Sequence, residues 1–552
     1  MSIRALRLLA ALALAAGVVV TAPAGAGPVP EDATWSEAYI PNPDGTKLHA
    51  DVFLPENRKS TSKHPVILSI GPYYGSGSQN APAWDPMGQG PSDRFNDLIE
   101  EGQIFKKGYA LILVDSRGYG SSGGCNDFGG PGEQSDAKAA VEWAARQPWS
   151  NGKVGMWGKS YDAWTQVMAL ATKPKGLAAT VIQAPLIEAY RAFFENGVHY
   201  AAGWYITPAL YADYDLTPPT VNDDPMEWVH AVSGTATNPH CYAGNLGNSA
   251  NPDHSSAHWR ARDLIKRAGE SKVPTLWSHG FNDINTKPTN IFPVYGALKG
   301  PKRAWFGQWA HDRGNEVDKV GRAGFMAEAM NWFDHYLRGK PLKKAPPVEI
   351  QDGDGVWRDE KSWPPSDSVM RRMRLLPGSW ADEPGNNANT PDGGTWSVSQ
   401  PAPYDVRLAG LMRFNGQVSV QTPAGGNLVA LVYDVNADGE SRLMSRGAIA
   451  VSGDEDVVSF DLWPQDWLLR KGHRIAVQLS ADDSQMYLPT HRRGSTVTLE
   501  SGELLLPILR KVRTRTLAGE EAQASGSVPT PTLTSELEGR ETRADFGPRP
   551  TR

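Results

Sequence analysis

From Trp35 to about Lys340 the chain repeats one pattern, a short apolar run of strand length followed by a stretch of helical periodicity. PVILSIG (65–71), YALILVD (109–115), KVGMWG (153–158), ATVIQAP (179–185), VPTLWSHG (273–280) and KRAWFGQW (302–309) have the make-up of buried strands. SDAKAAVEWAARQ (135–147) and FMAEAMNWFDHYL (325–337) are the helix candidates between them. Strands alternating with helices build βαβ units, so the expectation is an α/β fold whose parallel sheet is covered on both faces. Between Leu186 and Lys272 the rhythm breaks. No strong strand signal remains there, and IEAYRAFFENGVHYAAGWYI reads as helical. An insertion of that length, at about 187–272, is expected to cap the carboxyl edge of the sheet.

After about Ala345 the character changes to short β-forming runs (VEIQ, MRLL, QVSV, NLVALVYDV, RLMSRGAIAV, RIAVQLS, STVTLE) separated by Gly, Pro, Asn and Asp. Residues 346–514 are therefore expected to form an all-β sandwich of jelly-roll type. Within it, YDVNADGES (433–441) begins like a calcium loop, but Ser445 stands where the bidentate Glu belongs, and a hairpin turn is the better reading. Residues 515–552, rich in Glu, Ser, Thr, Pro and Arg, are expected to be a disordered tail.

Residues 1–26 carry Arg4 and Arg7, an apolar run from Leu8 to Val20, and small residues at Ala22, Ala24 and Ala26. This is the pattern of a secretory signal peptide, with an apolar run too short to span a bilayer, so a secreted protein free of the membrane after cleavage is expected. In an oxidising compartment the two cysteines, Cys125 and Cys241, are a candidate disulfide that would tie cap to core. Of 552 residues 40% are hydrophobic and 21% charged, and the net charge is −6. Those values fit an ordinary globular chain and argue against a nucleic-acid binder. No Cys/His cluster has zinc spacing and no Gly-rich loop has the phosphate-binding pattern, so no metal and no cofactor is expected. The 19 Trp outnumber the 17 Tyr and the 14 Phe, which fits either large core side chains or aromatic-lined pockets.

The sharpest local feature is VGMWGKSYDAW, where Ser160 follows an apolar strand and precedes the helical run WTQVMALAT. A serine on a tight strand-to-helix turn stands exposed above a sheet, with the N–H groups of the next helix close to any anion it generates. Asp162 stands two residues after Ser160, so the plain G-x-S-x-G pattern is not met, and a strand–helix turn with an incidental serine is the alternative. A serine hydroxyl needs a base, and the base an orienting acid, in the chain order Ser, acid, His. FNDIN places Asp283 just beyond one strand, and GQWAHDRG places His311 just beyond the next, 28 residues on. The oxyanion site calls for two donors. One is the backbone N–H of Tyr161; the other must come from the loop after an early strand, where GPYYG (71–75) sits.

GPYYG, DSRGYGSSGG (115–124), QPWSNGKVGMWGKSYDAW (147–164), GFNDINTKP (280–288), GQWAH (307–311) and VWRDEKSWPP (356–365) together resemble the Xaa-Pro dipeptidyl-peptidase and cocaine-esterase-like acyl hydrolases. The resemblance covers nearly the whole mature chain. It implies an α/β-hydrolase core over 27–345 interrupted by a helical cap, followed by a C-terminal jelly roll. It makes Ser160 the nucleophile, Asp283 the orienting acid and His311 the general base. Tyr73 would add its phenolic hydroxyl to the oxyanion site beside Tyr161, with Tyr74 as the fallback. Asp115 and Arg117 would form an internal contact bracing the site. Ala163 replaces the family's usual Gly.

A dipeptidyl-peptidase must also hold a free amino group, for which Glu188, Glu195, Asp213, Asp215 and Glu227 of the cap are candidates, and Trp157, Trp164, Trp204 and Tyr205 could wall a proline or acyl group. The expected function is a secreted Xaa-Pro dipeptidyl-peptidase working through a Ser-His-Asp acyl-enzyme on a peptide substrate. The alternatives are an acyl esterase or amidase on small esters, and a non-catalytic or carbohydrate-binding protein. A homo-oligomer is compatible with the sequence.

Overall fold

A computed structural model describes residues 28–56, 59, 61–74, 91, 92, 94–200, 244, 247–382, 394–422, 425–452, 456–483, 486, 487, 495–520 and 539–551. Its first body is a ten-stranded sheet. Strands β1 (Ala33–Pro41) and β2 (Lys47–Pro55) form an antiparallel hairpin at one edge. Strands β3 (His64–Gly71), β4 (Ala110–Asp115), β5 (Ser150–Lys159) and β6 (Leu177–Gln183) follow in the chain. The two-residue strands β7 (Phe194–Glu195) and β8 (Val198–His199) make a small separate hairpin. Strands β9 (Thr275–Gly280), β10 (Lys302–Gly307), β11 (Val348–Gln351) and β12 (Trp357–Glu360) complete the set. The spatial order is β1-β2-β4-β3-β5-β6-β9-β10-β11-β12, with every pair from β4 to β11 parallel.

Side chains alternate across this sheet with period two, and both faces are buried. Val66, Leu68 and Ile70 of β3 pack with the helices Pro131–Arg146 and Tyr161–Thr172. Ile67 between them packs on the other face with the helix Phe325–Arg338. That helix comes so close that a Cβ on Gly155 would lie 2.6 Å from the Phe333 ring.

The second body is a sandwich of two sheets. One has the order β20-β17-β23-β16-β21, with β13 and β14 also on β23; the other has β19-β18-β22-β15-β24. These are β13 (Ser368–Leu375), β14 (Gly378–Ala381), β15 (Thr395–Ser399), β16 (Val406–Gly410), β17 (Arg413–Val420), β18 (Gly426–Val435), β19 (Ser441–Val451), β20 (Asp456–Asp461), β21 (Gln465–Leu469), β22 (Arg474–Ser480), β23 (Thr496–Leu509) and β24 (Glu541–Thr542). Phe414 and Val418 of one sheet share a core with Leu428, Ala430 and Val432 of the other. The alternate residues Val429, Leu431, Tyr433 and Val435 face outward, yet they too are buried, against Val198 and Tyr200 from the cap. The run LVALVY (428–433) shows no polar alternation because both of its faces are covered.

Four expectations are corrected. VEIQ belongs to the first sheet, as β11 parallel to β10, because composition marks a strand without saying which sheet it joins. Of the helix read over 187–206, the described part to Tyr200 is helical at Ala189–Phe193, after which the chain turns at Asn196 (φ 46°) and Gly197 (φ 89°) into the hairpin β7–β8, and 201–206 lie outside the described residues. Asn-Gly is the sequence signal for such a turn. The tail is not disordered throughout. β24 pairs with β15 and Phe546 is buried in the sandwich core, while residues 521–538 lie outside the described set. Arg117 pairs with Asp136 and not with Asp115. The segment 433–441 is the β18–β19 hairpin connection, as expected.

Candidate active site

Ser160 directly follows β5 and caps the helix Tyr161–Thr172, with φ 63° and ψ −121°. A non-glycine residue there carries about 1–3 kcal/mol of strain, which the surroundings must hold. Gly158 shows how. A Cβ at that position would lie 2.4 Å from the Asp162 Cβ, so the turn closes only on glycine. Asp162 is fully buried and points back under β3, where a Cβ on Gly71 would lie 1.8 Å from its Oδ1. Its other oxygen accepts from Arg94 Nε at 2.7 Å. The turn that lacks the usual second glycine is thus held by an ion pair beneath it, and Ala163 is accommodated fully buried.

Asp283 follows β9 and His311 follows β10. Both loops rise from the same sheet edge as Ser160, beside the point where strand order reverses between β3 and β5, which is where open α/β sheets bind ligands. His311 Nδ1 lies 2.8 Å from Asp283 Oδ2. The same oxygen accepts from Thr286 Oγ1 at 2.7 Å and faces His279 Nε2 at 3.2 Å. Oδ1 accepts the amides of Asn285 and Thr286 at 2.8 and 3.0 Å. Burial alone would raise this carboxyl, but the two imidazoles and their hydrogen bonds outweigh it and hold Asp283 well below the usual carboxylate range. Burial pushes His279 down, toward the neutral form.

The two loops are stitched together. Asn282 donates its amide to the Trp309 carbonyl at 3.2 Å and its side chain to the Gln308 carbonyl at 2.7 Å. Gly280 lets them meet, since a Cβ there would lie 1.9 Å from the Trp309 oxygen. Two side chains, Lys159 and Gln183, then carry the His311 loop across β6 and β9 to Ser160. Lys159 Nζ donates to the His311 carbonyl at 3.0 Å. Gln183 accepts the Ser160 amide on its backbone oxygen at 3.1 Å and the Gly314 amide on its side-chain oxygen at 2.8 Å. Among the described residues the hydrogen bonds of His311 go to Asp283 and Lys159, and none reaches the Ser160 hydroxyl. Catalytic hydrogen bonds often tighten only when substrate arrives.

Tyr73 follows β3, the neighbour of β5. Its ring lies edge-on to Tyr161 at 6.4 Å and under the Arg94 guanidinium at 4.0 Å. Tyr74 is engaged elsewhere, its hydroxyl 2.8 Å from Ser69 Oγ and 3.3 Å from Asp162. Tyr161 sits at the first position of its helix, whose amides face the Ser160 side.

The bracing pair is built differently from the expectation. Asp115 Oδ2 lies 2.7 Å from His49 Nδ1, whereas Arg117 grips Asp136 with Nε at 2.6 Å and Nη2 at 2.7 Å, and reaches Asp44 at 2.9 Å. Two residues apart in a turn, their side chains leave on different sides, which spacing alone does not reveal. Cys125 is disulfide-bonded; Cys241, the chain's other cysteine, lies outside the described residues.

Of the cap acids, Glu188 pairs with His254 and with Arg191 at 3.0 Å, and Glu195 accepts from Tyr487 at 2.8 Å beside Lys287 at 3.6 Å. Asp213, Asp215, Glu227, Trp204 and Tyr205 lie outside the described residues. Trp157 and Trp164 are core side chains, not a pocket wall. Sequence reasoning did not single out His279, Thr286, Lys159 or Gln183. Only the HxxxD spacing of His279 and Asp283 hinted at the first.

Residues 44–313 match the family described as X-Pro dipeptidyl-peptidase (S15 family), and residues 341–525 match the X-Pro dipeptidyl-peptidase C-terminal non-catalytic domain. A Bacillus anthracis protein provisionally named an Xaa-Pro dipeptidyl-peptidase is 23% identical over 538 residues, 85% of each chain. The cocaine esterase of Rhodococcus sp. (strain MB1 Bresler) is 26% identical over 397 residues, covering 65% of this chain and 64% of the esterase. Among solved structures, a CocE/NonD family hydrolase from Staphylococcus aureus aligns with a TM-score of 0.67 at 17% identity, covering 89% of this chain and 97% of that one, a likeness of fold.

Proposed function

The chain belongs to the X-Pro dipeptidyl-peptidase (S15) family of serine hydrolases, and from that premise we propose that it is a secreted exopeptidase that releases N-terminal Xaa-Pro dipeptides through an acyl-enzyme on Ser160. The observation that carries the reading is the 2.8 Å pairing of His311 with a buried, strongly acidic Asp283 at the sheet edge that also bears the strained Ser160.

In this mechanism His311 Nε2 takes the Ser160 proton as Oγ attacks the scissile carbonyl. Asp283 holds Nδ1–H and stabilises the imidazolium. The oxyanion is received by the Tyr161 amide and the Tyr73 hydroxyl. His311 then returns the proton to the leaving amine, and water repeats the sequence on the ester of Ser160. Signal cleavage after residue 26 would deliver the chain outside the cell, consistent with the disulfide at Cys125.

A second reading, an acyl esterase, draws support from Glu188, whose two oxygens are taken by Arg191 and His254 and not left for a substrate ammonium. Steady-state rates on a Gly-Pro anilide, its N-acetylated form and a short-chain nitrophenyl ester separate the two. The free anilide should turn over much faster than the blocked one. Equal rates, or turnover of the ester alone, would reject the exopeptidase. Fluorophosphonate labelling that is lost in Ser160→Ala would exclude the non-catalytic alternative.

A further inference from the structure

Behind Ser160 lies a buried acid that the mechanism above does not use. Glu133, in the first turn of the helix Pro131–Arg146, is only 2% exposed. Its Oε1 accepts the Tyr161 hydroxyl at 2.5 Å and its Oε2 accepts the Gly129 amide at 2.6 Å. The Tyr161 hydroxyl in turn accepts from Asn126 Nδ2 at 2.8 Å. Among the described residues no basic side chain stands within ion-pair distance of Glu133. Burial first, and then neighbouring Asp127, push its carboxyl upward.

Raised to about 8, the acid is largely protonated at neutral pH, and a buried polar acid contributes less to stability than apolar packing of the same volume would. Nor is Glu133 needed to hold its loop. Asp127 caps the same helix by accepting the Gly132 amide at 2.7 Å, and Arg262 of the cap region donates to the Asp127 carbonyl at 2.7 Å. The disulfide at Cys125 secures the loop again. What the carboxylate adds is the orientation of one ring. Tyr161 is fully buried, edge-on to Trp164 at 5.2 Å and to Tyr73 at 6.4 Å, and its backbone directly follows a residue in a strained conformation. With the ring anchored at its far end, the Tyr161 backbone that carries the amide following Ser160 is held too, and a shift of the whole residue would displace both that amide and the ring against which Tyr73 packs.

We propose that Glu133 is a positioning residue for the oxyanion site: by clamping the Tyr161 hydroxyl it sets the Tyr161 amide and, through the ring contact, the Tyr73 hydroxyl. The inference rests on Ser160 being the nucleophile. A preorganised donor acts mainly on the transition state, so a loosened clamp should lower kcat rather than substrate binding.

Tyr161→Phe, which removes one oxygen and keeps the ring, and Glu133→Gln are tested in the full chain on a short-chain nitrophenyl ester, with phenylboronic acid as an analogue of the tetrahedral intermediate. We expect kcat to fall about tenfold or more with KM within twofold, and the boronate inhibition constant to rise by a similar factor. A kcat within twofold of wild type, with only the melting temperature lowered, would reduce Glu133 to a structural acid and overturn the proposal. A change in KM alone would do the same. If Glu133→Gln fails to fold, Tyr161→Phe decides by itself. Retention of full ester turnover by Ser160→Ala would instead overturn the nucleophile assignment on which the clamp depends.

Discussion

At the scale of single residues, GPYYG illustrates how two identical side chains in sequence acquire different work. Alternation along the chain after β3 sends Tyr74 down among Ser69, Asp162 and Phe95, and leaves Tyr73 beside Tyr161. Tyr73→Phe is therefore expected to cost roughly 3 kcal/mol in kcat/KM, carried by kcat, as loss of an oxyanion donor does. Tyr74→Phe should instead lower thermal stability by about 1 kcal/mol and leave kcat nearly intact, since it breaks a buried hydrogen bond. Parallel kinetics and melting curves on the two variants decide; a loss of kcat confined to Tyr74→Phe would reverse the assignment.

At the scale of elements, the antiparallel hairpin β1–β2 against β4 encloses a cluster of ionisable groups. His49 on β2 faces Asp115 at 2.7 Å and Glu37 on β1 at 3.1 Å, and Asp51 on β2 accepts from Trp35 at 2.7 Å. Burial opposes the charged imidazole, but the carboxylates outweigh it and raise His49 well above the ordinary range; burial pushes Asp51 up to about 7. A folded-state pKa raised above the unfolded one gives stability that is fully present below the unfolded value, near 6.5 for His, and lost as pH rises through the folded value. Asp51 acts in the same direction between about pH 4 and 7. The melting temperature should thus fall as pH rises above neutrality, and the slope should flatten in His49→Gln. Melts from pH 5 to 10 that show equal slopes in both proteins would remove the cluster from the account.

At the scale of the whole molecule, the sandwich does more than follow the catalytic sheet. Gln308, three residues before His311, donates to Gln465 at 3.1 Å and to the Asp466 carbonyl at 3.2 Å. Asp466 is fully buried and paired with Arg358 of β12 at 2.7 Å and Arg407 at 3.0 Å. The hairpin β7–β8 docks on the sandwich as well, Asn196 Nδ2 donating to the Ala448 carbonyl at 2.9 Å. The body matched as non-catalytic therefore supports both the base loop and the start of the cap. Arg358→Met leaves Asp466 short of a partner, and removal of one member of a buried pair typically costs 3–5 kcal/mol. Urea unfolding should show a loss of that size together with reduced kcat. A stable variant with reduced kcat would mean that Arg358 steers the loop without holding the domains.

The period of the apolar runs determined by itself a parallel sheet followed by a β-rich segment, and the local motifs put Ser160, Asp283 and His311 just beyond three of its strands, because strand ends in such a sheet share one edge. The sequence also contained the Asn196–Gly197 turn, a local signal set within helical composition. Other features depended on the tertiary structure alone. Whether β11 joined the first sheet or the sandwich, where Arg117 found its acids, that Phe546 returned to the core, and that Lys159, Gln183 and Glu133 hold the site were decided by contacts between segments far apart in the chain. Local periodicity reports which faces a segment must bury, and carries no record of what buries them.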